Sequence, residues 1–235
     1  MGKLRIVSSS SQPFRDRREA GQLLAQELKD LAGRNLVVLG IPRGGVVIAQ
    51  ELARALDAEL DIVLARKLRT PGHEELAMGS VAEDGRTFLN QEVISELRIN
   101  NASIEQEKKM QMAEIARRTQ LFRQVRPRVP LKGRTVIVTD DGVATGATTQ
   151  AAFWAVRHEG PETLIAAIPV GSEHTIRRLA ADVDEMRCLR TPPFFAAVGQ
   201  FYLRFEPIED EDVLEILREE QQRRIANEPS KLKKK

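Results

Sequence analysis

Apolar positions along the chain fall into two alternating rhythms. Between Arg17 and Leu31, Ala20, Leu23, Leu24, Leu28 and Leu31 recur at helical spacing, and Gly33 follows as a stop. The next segment, 36–41 (LVVLGI), is short, β-branched and apolar throughout, the pattern of a strand buried on both faces. It ends in Pro-Arg-Gly-Gly, after which VVIAQELARAL returns to helical spacing. A second strand is predicted over 60–65, a third over 135–140, and two more over 164–170 and 183–189. Helices are predicted over 104–125, ended by Pro127 and Pro130, over 148–159, ended by Gly160-Pro161, and over 173–181. Strands alternating with crossover helices imply an α/β fold, a parallel sheet flanked by helices.

Two stretches depart from this rhythm. Residues 66–80 have no period, contain Pro71-Gly72, and are long enough to be read as a mobile lid. Asp84-Gly85 then sits between short β-like segments, as in a hairpin. We expect one domain over 1–225 with a helical insertion at about 90–126, and a basic, disordered tail over 226–235.

Composition adds limits. The 235 residues are 42% hydrophobic and 30% charged, which excludes a disordered or fibrous chain. Cys188 is the one cysteine and reads as a small buried hydrophobe; no apolar run reaches the ~18 residues of a membrane span. With no apolar signal core near Met1, a cytoplasmic location is expected. The net charge of +2 depends on Lys231, Lys233, Lys234 and Lys235, and charge is segregated within the body. Residues 115–139 hold seven bases and no acid, whereas 206–220 hold eight acids against Arg218. The basic helix could meet nucleic acid or a subunit interface, where the acidic segment would answer it in a dimer. His158 and His174 lack metal-ligand spacing and read as structural.

The candidate chemistry lies in loops that follow the predicted strands, where parallel sheets bind ligands. In VIVTDDGVATGATT (136–149) a buried strand delivers Asp140 and Asp141, and a small-residue turn then opens a helix. Backbone N–H groups and hydroxyls over Ala144, Thr145, Gly146, Ala147, Thr148 and Thr149 suit a phosphate, and the acids suit vicinal hydroxyls, so the ligand is read as a sugar phosphate. Neither a Walker loop nor a G-x-G-x-x-G dinucleotide fingerprint is present.

This string resembles the phosphoribosyl pyrophosphate (PRPP) signature of type I phosphoribosyltransferases. GIPRGG (40–45) resembles the family's pyrophosphate loop, and RKLRTPGHEELAMG (66–79) its flexible catalytic loop; the resemblance covers roughly 14–220. It implies transfer of the 5-phosphoribosyl group of PRPP to a nitrogenous, nucleobase-like acceptor with release of pyrophosphate. Pro42, Arg43, Gly44 and Gly45 would bind pyrophosphate, with Arg66 and Lys67 countering the charge that grows on it. Magnesium would be held through PRPP and water, at most with Asp140 and Asp141. The family often has a cis peptide in the pyrophosphate loop. Cis or strained geometry is therefore expected between Ile41 and Gly44, at least cost at Ile41-Pro42. Ala144 stands where purine-salvage members carry an acid, so Glu74 or Glu75 of the lid is assigned as any proton acceptor. Gly142 stands where many members have an aliphatic residue. Phe194, Phe195, Phe201, Tyr202 and Phe205 would form a core lid or stack an aromatic acceptor. A homodimer is expected. The alternative is a non-catalytic PRPP-binding regulator with nucleic-acid contacts.

Overall fold

The structure is a computed structural model that describes residues 2–232; the side chains of Glu74, Glu75 and residues 227–232 lie outside that description. Six strands, β1 (Lys3–Ser8), β2 (Leu36–Gly40), β3 (Glu59–Ile62), β7 (Thr135–Thr139), β8 (Thr163–Val170) and β9 (Glu185–Arg190), form one parallel sheet in the order β1-β9-β8-β7-β2-β3. Central β2 and β7 are buried at every position, which is why they read as unbroken apolar runs. Edge strand β1 alternates exposed and half-buried residues and carries Lys3 and Arg5, so it escaped the apolar pattern.

Helices α1 (Arg17–Glu27), α2 (Gly45–Leu56), α5 (Ala147–Arg157) and α6 (Glu173–Leu179) are the crossovers. Apolar side chains of α1 and α2 pack with β2 and β3 in one core; those of α5 and α6 pack with β7, β8 and β9 in a second. Gly21 lets α1 and α2 approach closely, since a Cβ there would lie 2.8 Å from Glu51 Cβ.

Residues 66–80 are not an irregular loop. Strands β4 (Ala65–Thr70) and β5 (His73–Ala82) form an antiparallel hairpin, and β6 (Thr87–Leu89) extends it across the turn at Asp84-Gly85. Two register shifts, at Leu68/Arg69 and Arg69/Thr70, break the period of two. The hairpin base is core, with Leu68, Met78 and Val81 fully buried. Helices α3 (Gln91–Glu96) and α4 (Asn101–Arg123) follow before β7.

The acidic segment opens α7 (Asp210–Leu232), whose first turn holds Asp210, Glu211 and Asp212, a favourable place for negative charge. The backbone is thus helical across 226–232, where a disordered tail was expected; 233–235 lie outside the described residues. Basic and acidic segments meet within one chain: Arg117 Nη2 lies 2.7 Å from Asp210 Oδ2 and Arg118 Nε 3.7 Å from Asp210 Oδ1. A dimer is not needed to pair them.

Candidate functional site

Two loops meet at the C-terminal ends of the neighbouring strands β2 and β7. The β2–α2 loop is pressed against the β7–α5 loop so tightly that a Cβ on Gly44 would lie 1.9 Å from Asp141 Oδ2, and one on Gly45 2.8 Å from Thr139 O. The two glycines are the condition for the loops to touch. The Pro42–Arg43 peptide bond is cis, inside the expected interval but one bond beyond Ile41–Pro42. Gly45, Val46 and Val47 donate their backbone N–H groups to Ile41, Arg43 and Gly44 carbonyls, whereas those of Arg43 and Gly44 have no acceptor among the described residues. The Arg43 guanidinium pairs with Glu209, just before α7.

Across β7, Gly146 adopts a left-handed conformation (φ 76°) and starts α5. Backbone N–H groups of Ala144 through Thr149 find no acceptor among the described residues; Val143 and Gln150 are the first on either side to be satisfied. The loop is held from behind, where Thr175 Oγ1 donates to Ala144 O at 2.8 Å and Arg178 Nη2 to Thr145 O at 2.7 Å. Thr145 and Thr148 are exposed and Thr149 is buried. This is a helix N-terminus with its donors open, a geometry suited to a phosphate.

Asp140 and Asp141 lie between the two loops, both half-buried. Asp140 accepts the Asp141 N–H at 2.9 Å and forms no ion pair among the described residues. Burial, with the Asp141 charge beside it, holds its carboxyl well above the usual carboxylate range. Burial raises Asp141 as well, against the pull of Arg17, whose Nε donates to Asp141 Oδ2 at 2.8 Å.

Arg17 went unnoticed in the sequence, where it is one of a run of charges ahead of a helix. Asp16 caps α1 by accepting the Glu19 N–H at 2.9 Å, which puts Arg17 at the first helical position and aims it at the site. Only 8% exposed, Arg17 also donates to Glu206 O at 2.8 Å and lies 3.9 Å above the Phe205 ring. Phe205 stacks on Tyr202 (5.0 Å), whose hydroxyl donates to Asp141 O at 2.5 Å, and Tyr202 meets Phe14. Phe195 stacks on Phe201. These rings pack on one another and on Arg17; of the five, Phe194 stands furthest out in solvent, 85% exposed, with Phe205 at 36%. Val198 explains Gly142, since a Cβ there would lie 2.5 Å from Val198 Cγ1.

Arg66 and Lys67 lie on β4 and line a cleft of about 790 Å³ that also touches Pro42 and Thr148. Glu74 and Glu75 belong to the backbone of β5, with side chains outside the described residues. No group of three or more metal-ligating side chains exists among the described residues, and none of their helices is long and apolar enough to cross a membrane.

The chain is 43% identical over 204 residues to curated proteins of two Mycobacterium tuberculosis strains, CDC 1551 / Oshkosh and H37Rv, whose names go no further than phosphoribosyl transferase. That match covers 87% of this chain and 46% of each relative, so the chain spans about half their length. It is 45% identical to the crystal structure of TT1426 from Thermus thermophilus, with a TM-score of 0.84 over 88% of this chain and 99% of that one. The family model for the phosphoribosyl transferase domain matches residues 16–206, a span that takes in both loops and the β4–β5 hairpin, and the chain belongs to the phosphoribosyl transferase family.

Proposed function

We propose that the chain binds magnesium-PRPP and transfers its phosphoribosyl group to a nitrogenous, nucleobase-like acceptor, releasing pyrophosphate. One observation carries the reading. Two rows of unsatisfied backbone donors, at 144–149 and at Arg43–Gly44, flank a pair of carboxylates of which Asp140 forms no ion pair among the described residues. Such an array needs a ligand with an anion at each end and hydroxyls between.

In this reading Ala144–Thr149 hold the 5′-phosphate, Asp140 and Asp141 the ribose hydroxyls, and Pro42–Gly45 the pyrophosphate, with Arg66 and Lys67 beside it. A nitrogen lone pair of the acceptor forms the new bond to C1′ as the C1′–O bond breaks, and that electron pair leaves with the pyrophosphate. The carboxylates stabilise the positive charge that develops on the ribose, while the loop donors and cations stabilise the charge on the leaving group. Asp140, which forms no ion pair among the described residues, and Asp141 would hold a magnesium ion carried in with the ligand, and the ion would supply neutralisation of part of the ligand's charge. Where the acceptor must lose a proton, we assign the base to Glu74 or Glu75.

A nucleic-acid-binding PRPP regulator is less well supported, because six of the seven bases of the basic segment pair with acids of the same chain. The test is a screen of nitrogenous acceptors for PRPP-dependent pyrophosphate release. An acceptor that supports turnover in the wild type and at least ~100-fold less in Asp141→Asn is the expected outcome. Equal turnover in that variant would remove the assigned role.

A further inference from the structure

Helix α4 and the run from β3 into β4 enclose the cleft of about 790 Å³ that opens beside Pro42 of the anion loop. Arg66 lines it, and its Nε donates to Gln111 Oε1 at 2.7 Å. Among the described residues Arg66 makes no ion pair, so a neutral amide holds it while its charge stays uncompensated and its terminal N–H groups stay open. Gln111 is itself 4% exposed and donates Nε2 to Glu107 Oε1 at 2.9 Å. The same carboxylate oxygen accepts from Arg69 N at 3.1 Å and Arg69 Nε at 2.9 Å. These partners fix the amide's orientation: exchanging its oxygen and nitrogen would set N–H against N–H at Arg66 and oxygen against oxygen at Glu107. The hairpin that carries Arg66 is anchored by Leu68 and Met78, both fully buried.

We propose that Gln111, braced by Glu107, is a positioning residue for the diphosphate end of the ligand, holding Arg66 beside the anion loop as a preset cation. The proposal rests on the PRPP reading and adds α4 to the machinery. A glutamine suits this place because a carboxylate at 111 would neutralise the cation, and a shorter or apolar residue would release it into solvent. A rigid guanidinium with open N–H groups is the form in which arginine binds phosphate oxygens best.

The test is calorimetry with magnesium-PRPP, magnesium-pyrophosphate and ribose 5-phosphate on the wild type, Gln111→Met, Arg66→Gln and the double variant. Each single variant should bind PRPP and pyrophosphate about tenfold more weakly, the loss of one charge-assisted contact, with ribose 5-phosphate unchanged. The double variant should be no weaker than Arg66→Gln, because Gln111 acts only through Arg66. Additive losses, or a loss that extends to ribose 5-phosphate, would overturn the proposal in favour of a general structural role. PRPP binding to Gln111→Met at wild-type strength would overturn it and leave the PRPP site intact, whereas a wild type that binds none of the three removes both. Should Gln111→Met fail to fold, Arg66→Gln at an exposed position still decides, since full pyrophosphate affinity there contradicts the preset cation.

Discussion

A carboxylate taken partly out of water with no ion-pair partner destabilises the fold that holds it, and Asp140 is in that position, eased in part by the charge of Arg17. Because its folded carboxyl titrates above its unfolded value, the folded state binds the proton more readily, and the cost is full above the raised value and relieved as pH falls from it to the unfolded value. Asp140→Asn keeps the acceptor for the Asp141 N–H and removes the charge. It should raise Tm at pH 7 by about 2–4 °C, the shift that ~1 kcal/mol produces in a domain of this size, while weakening PRPP binding. A lower Tm in thermal unfolding would contradict this. Arg17 works in the other direction. Arg17→Met keeps the stem over Phe205 but leaves Asp141 without its cation, so magnesium-PRPP affinity should fall at least tenfold with the fold retained, and Arg17→Lys should restore part of it. Unchanged affinity in titration would reduce Arg17 to a packing residue. Asp140, Asp141 and the Thr-Gly turn could be found in the sequence because they are adjacent; Arg17 reaches Asp141 from 124 positions away, and no local pattern records that distance.

At the scale of elements, the sheet's central strands were legible because burial on both faces leaves an apolar signature that needs no partner to be recognised. Strands β4 and β5 were not, since bulges shift their register and their buried faces include Thr70, Gly79 and Ser80 as well as Leu68 and Met78. Only the Asp84-Gly85 turn was signalled, by residues whose backbone demands are local. The hairpin's anchoring has a measurable consequence. Amides of Leu68 and of Met78–Val81 should exchange hydrogen as slowly as those of β2, whereas those at the Pro71-Gly72 tip exchange fast. Uniformly fast exchange from 66 to 80 would restore the mobile lid. The aromatic segment after β9 also changes meaning at this scale: Tyr202 and Phe205 brace Asp141 and Arg17 more than they offer a surface to an acceptor.

Over the whole molecule, charge that looked segregated along the chain is matched in space. The acids of α7 answer α4 through Asp210 and reach α2 through the pairs of Arg54 with Glu219 and Glu220, and Glu209, just ahead of α7, pairs with Arg43 of the β2–α2 loop. The sequence showed the imbalance of each segment but not the fold that brings them together, which is why a dimer interface was one place where they could meet. The open donors and Asp140, which forms no ion pair among the described residues, lie together at the ends of β2 and β7. The central claim is that this place is a PRPP site. It is tested most directly by calorimetric titration with PRPP, with and without magnesium, on the wild type and the Asp140→Asn/Asp141→Asn double variant. Saturable binding that requires magnesium and is lost in the double variant is the predicted result. No binding up to millimolar PRPP, or equal binding in the variant, would contradict the account.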